Sequence, residues 1–214
     1  MRAVSTNDAT AVRRRLPVQD RSRERVGRIL DAASEIVVAG GVEALTTRAI
    51  ATRAQVPVAS LYQYFSDKEA VLLALIERDM AEMDEQVAQD LGALTSYDVA
   101  SVVETTMRAF VKVYHRRPAF VEIWLRGRIN ATIRDAGRAH NRRVAGDLWA
   151  FVTDLGMVRE GTRPEVALLA VEIGDRVFQL AFETSRTGDA FLIEQGIAMI
   201  TAYLRQHARA VTRS

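Results

Sequence analysis

Apolar residues in this chain recur at intervals of three and four and almost nowhere alternate. Val26, Ile29, Leu30, Ala33 and Val37 set the pattern. That spacing places them on one face of a helix, and similar spacing returns along the chain as far as "DAFLIEQGIAMITAYLRQH" at 189–207. Sustained period-two alternation, Asn-Gly hairpin turns and clusters of β-branched residues are nearly absent, so strands have little to form from. With 49% hydrophobic and 26% charged residues over 214 positions, enough apolar surface is available for a sizeable core. The fold class is therefore all-α.

Composition removes several functions. Cysteine is absent, which excludes disulfides, thiolate metal sites and cysteine nucleophiles. The start "MRAVSTNDATAVRRRLPVQD" contains no apolar core of a secretory signal. No apolar run approaches the ~20 residues of a membrane span. A soluble, cytoplasmic protein is expected. Net charge is only +2, but residues 1–68 carry eleven Lys/Arg against seven Asp/Glu, leaving the remainder slightly negative. The cationic end, led by Arg13, Arg14 and Arg15, suits an anionic polymer or simply a solvated tail.

Punctuation divides the chain. Residues 1–20 read as a disordered basic arm. A first helix follows and stops at Gly40-Gly41; "TTRAIATRA" at 46–54 forms a short second helix capped by Thr46 or Thr47. Pro57 suits the first turn of a third. Ser66 and Glu69 have the spacing of a capping box, opening a helix from Asp67 to about Leu91. The later part of that helix is acidic and reads as an exposed connecting rod. The domains are thus 21–66, the connecting helix 67–91, and a larger helical region 92–214. Within the last, Pro118 starts "PAFVEIWLRGRI", a long helix covers roughly Asn130 to Leu155, and Pro164 opens a helix beyond a turn at 156–163. The final two helices, about 164–209, are apolar on more than one side, so one face is expected to meet a second subunit.

The three short helices between Ser22 and Phe65 have the dimensions of a helix-turn-helix unit. On a helical wheel for "VPVASLYQYFSDKEAV" at 56–71, Leu61 and Phe65 share the inward face. Ala59, Ser60 and Gln63 lie opposite, and Tyr62 and Tyr64 fall on the flanks. In a DNA groove, such tyrosines can bond phosphates, and Gln63 can pair with adenine in bidentate fashion. Equally, both tyrosines are compatible with ordinary boundary positions having wet hydroxyls. Lys68 lies in the first turn of the next helix, where free N–H groups favour an anion. Thr47 and Arg48 open the second helix in a similar way.

The run "GGVEALTTRAIATRAQVPVASLYQYFSDKEAVLLALI" resembles the DNA-binding domain of the TetR family of bacterial transcriptional regulators. The resemblance covers about Arg25 to Ile76 and rests on the glycine stop, the paired threonines and "LYQYFSDKEAVL". It implies an N-terminal helix-turn-helix domain followed by a ligand-binding and dimerisation domain. It further implies a homodimer on a near-palindromic operator, most simply a repressor released by an unknown small molecule. DNA contacts would fall on Thr47, Arg48, Ser60, Tyr62, Gln63, Tyr64 and Lys68. Where the family usually has Ser, a polar residue and Gly, this chain has Pro57, Val58 and Ala59. That departure favours thymine-methyl contacts or shape readout over direct polar readout.

The resemblance also places a ligand among the helices from Val99 to Leu155. Met107, Phe110, Tyr114, Phe120, Trp124, Trp149 and Phe151 are the candidate lining residues, with His140 and Asn141 as polar anchors. Each is also an ordinary core type at helical spacing. No cofactor, metal or catalytic residue is expected. His115, His140 and His207 are far apart and lack metal-ligand spacing, and neither a phosphate-cradling glycine loop nor a G-x-S-x-G elbow occurs. The competing readings are an activator or ligand-independent regulator, and a helical enzyme using the same cavity.

Overall fold

The structure, a computed structural model, describes residues 18–127 and 130–209, with side chains from Arg21 onward. Helix α1 spans Val18–Gly40, so it begins inside the segment read as a disordered arm; residues 1–17 of that arm lie outside the described residues. Its inward face buries Ile29, Leu30, Ala33 and Val37, with Val26 half-buried. Gly41 ends the run at φ 77° and donates its N–H to the Val37 carbonyl at 2.8 Å. A left-handed residue after the last turn satisfies a free carbonyl, and glycine adopts it without strain. A 3-10 turn, Val42–Ala44, leads to α2 at Thr47–Arg53, capped by Thr46, whose Oγ1 accepts the Ala49 N–H at 3.1 Å.

Helix α3 is a single short segment, Val58–Tyr62, preceded by Pro57. Gln55 in the intervening turn has φ 55°, a strained conformation for a residue with a side chain. Leu61 and Phe65 are buried in the core shared with Ile29 and Ile50. Helix α4, Lys68–Gly92, is capped by Asp67, whose Oδ1 accepts the Ala70 N–H at 2.8 Å. The expected Ser66–Glu69 capping box is therefore corrected. A carboxylate one residue further on complements the helix dipole better than a hydroxyl, and Ser66 Oγ donates to Asp67 Oδ2 at 3.1 Å.

The distal half of α4 is no exposed rod. Val71, Leu75, Ile76, Met80, Met83, Val87 and Leu91 form one continuous buried stripe, and the acidic residues between them face cations of later helices. Glu82 meets Arg116 Nε at 3.0 Å and pairs with Arg117; Asp84 meets Arg143 at 2.8 Å; Asp90 meets Lys112 at 2.7 Å. Charge that looks solvated in one dimension is matched by residues 20–60 positions away.

Those partners lie on α5 (Val99–Arg116), at Arg117 directly after it, and on α7 (Ala131–Asp154). Asp98 and Ser101 form a reciprocal capping box at the start of α5. Between α5 and α7, "PAFVEIWL" forms the short α6, Pro118–Phe120, and a π-turn, Val121–Leu125. The wider π-turn carries Val121, Ile123, Trp124 and Leu125 into the interior together. Asn130 caps α7 through its side chain to the Ile133 N–H at 2.9 Å. Helices α8 (Glu165–Phe182) and α9 (Ala190–Arg205) complete the fold. Gly196 lets them touch: a Cβ there would stand 2.5 Å from Val177 Cγ1. An isolated antiparallel bridge, Val158 to Ala208, ties the turn before α8 to the segment after α9.

Candidate nucleic-acid interface and internal cavity

The α2–α3 unit presents one polar, cation-bearing surface. Arg48 and Gln63 are exposed, Tyr62 is 53% exposed, and Ser60 and Lys68 are half-buried. Neither Arg48 nor Lys68 forms an ion pair among the described residues, whereas Arg53, further along α2, is held by Glu35 of α1 at 3.2 Å. Thr47 Oγ1 and the Tyr62 hydroxyl lie 3.2 Å apart, so the start of α2 braces the end of α3. Tyr64 differs from Tyr62: it is half-buried and packs on the core. Pro57, Val58 and Ala59 are all exposed, Val58 at 39%, so the opening of α3 offers apolar contact rather than donors. Gln63 is the residue after the last helical one, its backbone still in helical conformation.

The second feature is an apolar cavity of about 150 Å³, lined by α5, α7, α8 and α9 and by the turns around residues 157–162 and 207–208. Met107, Phe110, Tyr114, Asn141 and Trp149 line it. Phe120, Trp124, His140 and Phe151 do not. Phe120 stacks beneath Tyr114 with centroids 5.7 Å apart, and Phe151 meets Tyr97 edge-on at 5.4 Å. His140 is buried with Nδ1 2.9 Å from Arg143 and 3.7 Å from Asp84; burial pushes its pKa below the usual value. Trp124 lies one layer out, its Nε1 donating to Asp175 Oδ1 at 2.9 Å.

Asp175 itself lines the cavity, as do Phe178 on the same helix and the hydroxyl-bearing Thr106 and Thr162. Asp175, Phe178 and Thr162 lie beyond the span from Val99 to Leu155 in which the sequence placed the pocket, whereas Thr106 lies inside it and was passed over because only aromatic, Met, His and Asn side chains were considered there. The signal lay in α8, whose second apolar face was assigned wholly to a partner subunit. Burial raises the Asp175 pKa, and hydrogen bonds from Trp124, Gln179 and Asn141 act in the opposite direction. Tyr114, wholly buried, has its hydroxyl pKa pushed well up by desolvation.

The two regions are joined by packing. Arg78 of α4 reaches Asp31 of α1 at 2.7 Å and the buried Asp79 at 3.2 Å, and Arg117 lies 3.7 Å from the same Asp79. Arg186, beyond α8, pairs with Glu122 of the π-turn at 2.7 Å and donates to the Val38 carbonyl of α1 at 3.3 Å. Among the described residues, no group of three metal-ligating side chains converges, and no helix is long and apolar enough to cross a membrane.

A short tri-helical head, with an exposed face on its third helix, is set on a larger helical body that holds an apolar cavity. Residues 29–75 match the model of bacterial regulatory proteins of the tetR family, and residues 98–204 match a tetracyclin repressor-like C-terminal domain. The chain belongs to the TetR family. It is 33% identical over 115 residues to the HTH-type transcriptional repressor KstR of Mycolicibacterium smegmatis, covering 54% of this chain and 55% of that protein. Over 62 residues it is 45% identical to KstR of Mycobacterium tuberculosis, covering 29% and 28% of the two chains. The chain thus spans about half or less of the length of the curated relatives it matches. Among solved structures, a TetR-family transcriptional regulator from Streptomyces coelicolor superposes with TM-score 0.69 at 29% identity, over 86% of this chain and 99% of that one. The fatty acid degradation regulator FadR from Bacillus halodurans shares the fold, with TM-score 0.64 at 18% identity over 86% and 97%.

Proposed function

We propose that the protein is a cytoplasmic, homodimeric repressor that leaves a near-palindromic operator when a small molecule fills the α5–α9 cavity. The observation that carries this is the conjunction of a polar face at α2, α3 and the start of α4, where Arg48 and Lys68 have no ion-pair partner among the described residues, with a separate apolar cavity in the same chain. Residues 21–66 form the DNA-binding head, α4 connects, and the helices beyond about 92 hold the ligand and the dimer contact. Arg48, Lys68 and the hydroxyls of Thr47, Ser60, Tyr62 and Tyr64 engage phosphates, fixing register. Gln63 reads a base edge, and Val58 supplies apolar contact to thymine methyls. Repression, rather than activation, is supported by the repressors among the relatives.

Dimerisation is supported by the placement of apolar side chains left uncovered. Leu169 and Leu180 on α8, and Phe191 and Met199 on α9, are 42–67% exposed. Leu169 and Leu180 are eleven residues apart, which returns to nearly the same helix face, and a contiguous exposed apolar patch marks an interaction surface. A ligand acts by favouring a spacing of the two heads that fits the operator poorly. The Arg78–Asp31 ion pair between α4 and α1, and Arg186 bridging Glu122 of the π-turn to the Val38 carbonyl of α1, supply the physical connection.

The test is selection of bound duplexes from a random DNA pool by the full-length protein. An inverted repeat is expected, and Lys68→Ala should weaken retention of all selected sequences alike. Failure to enrich any repeat at moderate salt rules the reading out.

A further inference from the structure

The cavity's walls restrict the chemistry of its occupant more narrowly than its shape does. Among the described residues neither lysine nor arginine lines it, and its surface is overwhelmingly apolar. The one carboxylate, Asp175, stands without a cationic partner among the described residues. Three N–H donors hold it: Trp124 at 2.9 Å on Oδ1, Gln179 at 2.9 Å on Oδ2, and Asn141. A carboxylate offers about four acceptor sites, so one is left for a donor arriving from the cavity. An anion entering here would meet this carboxylate in a medium of low dielectric, with half-buried His207 the one described lining side chain able to carry a compensating positive charge.

Two hydroxyls complement it. Thr106 and Thr162 are among the lining residues, and the Oγ1 of each is buried without a hydrogen-bond partner. Native interiors seldom leave such groups unsatisfied unless something else supplies the partner. Thr106 on α5 and Asp175 on α8 both belong to the cavity lining. Their neighbours Met107 and Gly174 approach so closely that a Cβ on Gly174 would stand 3.4 Å from Met107 Sδ. A ligand hydroxyl can donate to a carboxylate and accept from a threonine at once, which an ether, an alkyl group or a carboxylate cannot.

The remaining wall is aromatic. Phe110 and Phe178 stack with centroids 5.9 Å apart, and Tyr114 meets Phe178 edge-on at 5.1 Å, with Trp149 further along. Such walls receive a flat ring by offset or edge contact. The volume, about 150 Å³, equals that of an apolar cavity able to take one benzene-sized ring.

Taking the cavity as the effector site of the reading above, we infer that its ligand is an uncharged ring compound bearing a hydroxyl, of the size of a small substituted phenol, with the hydroxyl on Asp175 and Thr106. Anionic analogues of the same shape are excluded.

The probes are 4-ethylphenol, ethylbenzene and 4-ethylbenzoate, each titrated calorimetrically into the full-length protein at pH 7. The phenol should bind at least ~10-fold more tightly than either of the others, since a site built to pair a hydroxyl penalises its absence. Asp175→Asn should bring 4-ethylbenzoate to within a few-fold of the phenol, and Thr106→Val should reduce the phenol's advantage over ethylbenzene. If Asp175→Asn loses its helical circular dichroism, the Thr106→Val comparison decides alone. Equal or tighter binding of the benzoate, no binding of any probe at millimolar concentration, or an unchanged preference in Thr106→Val overturns the inference. The same samples are mixed with a duplex selected by the wild-type protein. Preferential phenol binding without release of the duplex upholds the ligand class and removes effector-driven release instead.

Discussion

Trp124 rests on backbone, and that contact can be probed by one methyl group. Gly137 is buried in the middle of α7, and a Cβ built on it would lie 1.7 Å from Trp124 Cη2 and 2.4 Å from Cζ3. The indole cannot simply turn aside, because it is 8% exposed and its Nε1 is bonded to Asp175 at 2.9 Å. In Gly137→Ala the ring must shift. Overpacking a core position costs about 1–3 kcal/mol, and losing a hydrogen bond to a charged group costs about 1.5–3 kcal/mol. Against this, alanine favours a helix interior over glycine by about 0.5–1 kcal/mol. The net expectation is about 2–4 kcal/mol of destabilisation, or a fall in Tm of roughly 5–15 °C for a chain of this size. Gly146 provides the control: it lies on the same helix, is exposed, and has nothing within 4 Å of its would-be Cβ. Gly146→Ala should therefore gain up to about 1 kcal/mol. Thermal unfolding followed by circular dichroism measures both. If the two variants shift Tm in the same direction by similar amounts, the packing of Trp124 on α7 is wrong, and with it the description of the cavity's outer wall.

Further outcomes follow from the interface and the ion pairs. Lys68→Ala should lower the salt slope of DNA binding by roughly one phosphate's worth, while Gln63→Ala should relax preference at particular base pairs by about 1–3 kcal/mol; competition assays with single-base operator variants separate the two. Glu82 is held below the ordinary carboxylate range by hydrogen bonds and charge from Arg117 and Arg116, which outweigh its desolvation. Its stabilising contribution is present above the ordinary carboxylate pKa and disappears as pH falls through the lower folded value. Glu82→Gln should thus cost on the order of 1 kcal/mol at pH 7, with the gap from wild type closing in acid; a constant gap across urea titrations from pH 7 to pH 3 contradicts the pairing. Leu180→Arg combined with Phe191→Arg should convert a dimer to a monomer in sedimentation at micromolar concentration, and an unchanged dimer would move the interface away from α8 and α9.

Much of the fold was legible because it depends on local signals. The glycine stop at 40–41, the Thr46 cap, the Asn130 and Leu155 limits of α7 and the opening of α8 at Pro164 each need only a few neighbouring residues. Burial of Leu61 and Phe65 followed from spacing alone. What depended on distant partners was not legible. Glu82, Asp84 and Asp90 looked like a solvated face because their cations lie on α5 and α7. The π-turn at Val121–Leu125 has no sequence signature of its own, and it places Trp124 in the interior against Asp175 rather than in the cavity lining. At Ser66 two cap residues compete side by side, and the carboxylate of Asp67 takes the helix end.

The arrangement of two heads on one DNA duplex is read most directly by hydroxyl-radical footprinting of the full-length protein on a selected inverted repeat. Two α3 helices placed in successive major grooves should protect two windows centred about 10 base pairs apart, on one face and symmetric about the repeat. Filling the cavity with a bound effector should abolish both windows together. A single protected window, or protection that persists on one half-site when the other is released, would contradict a symmetric ligand-released dimer.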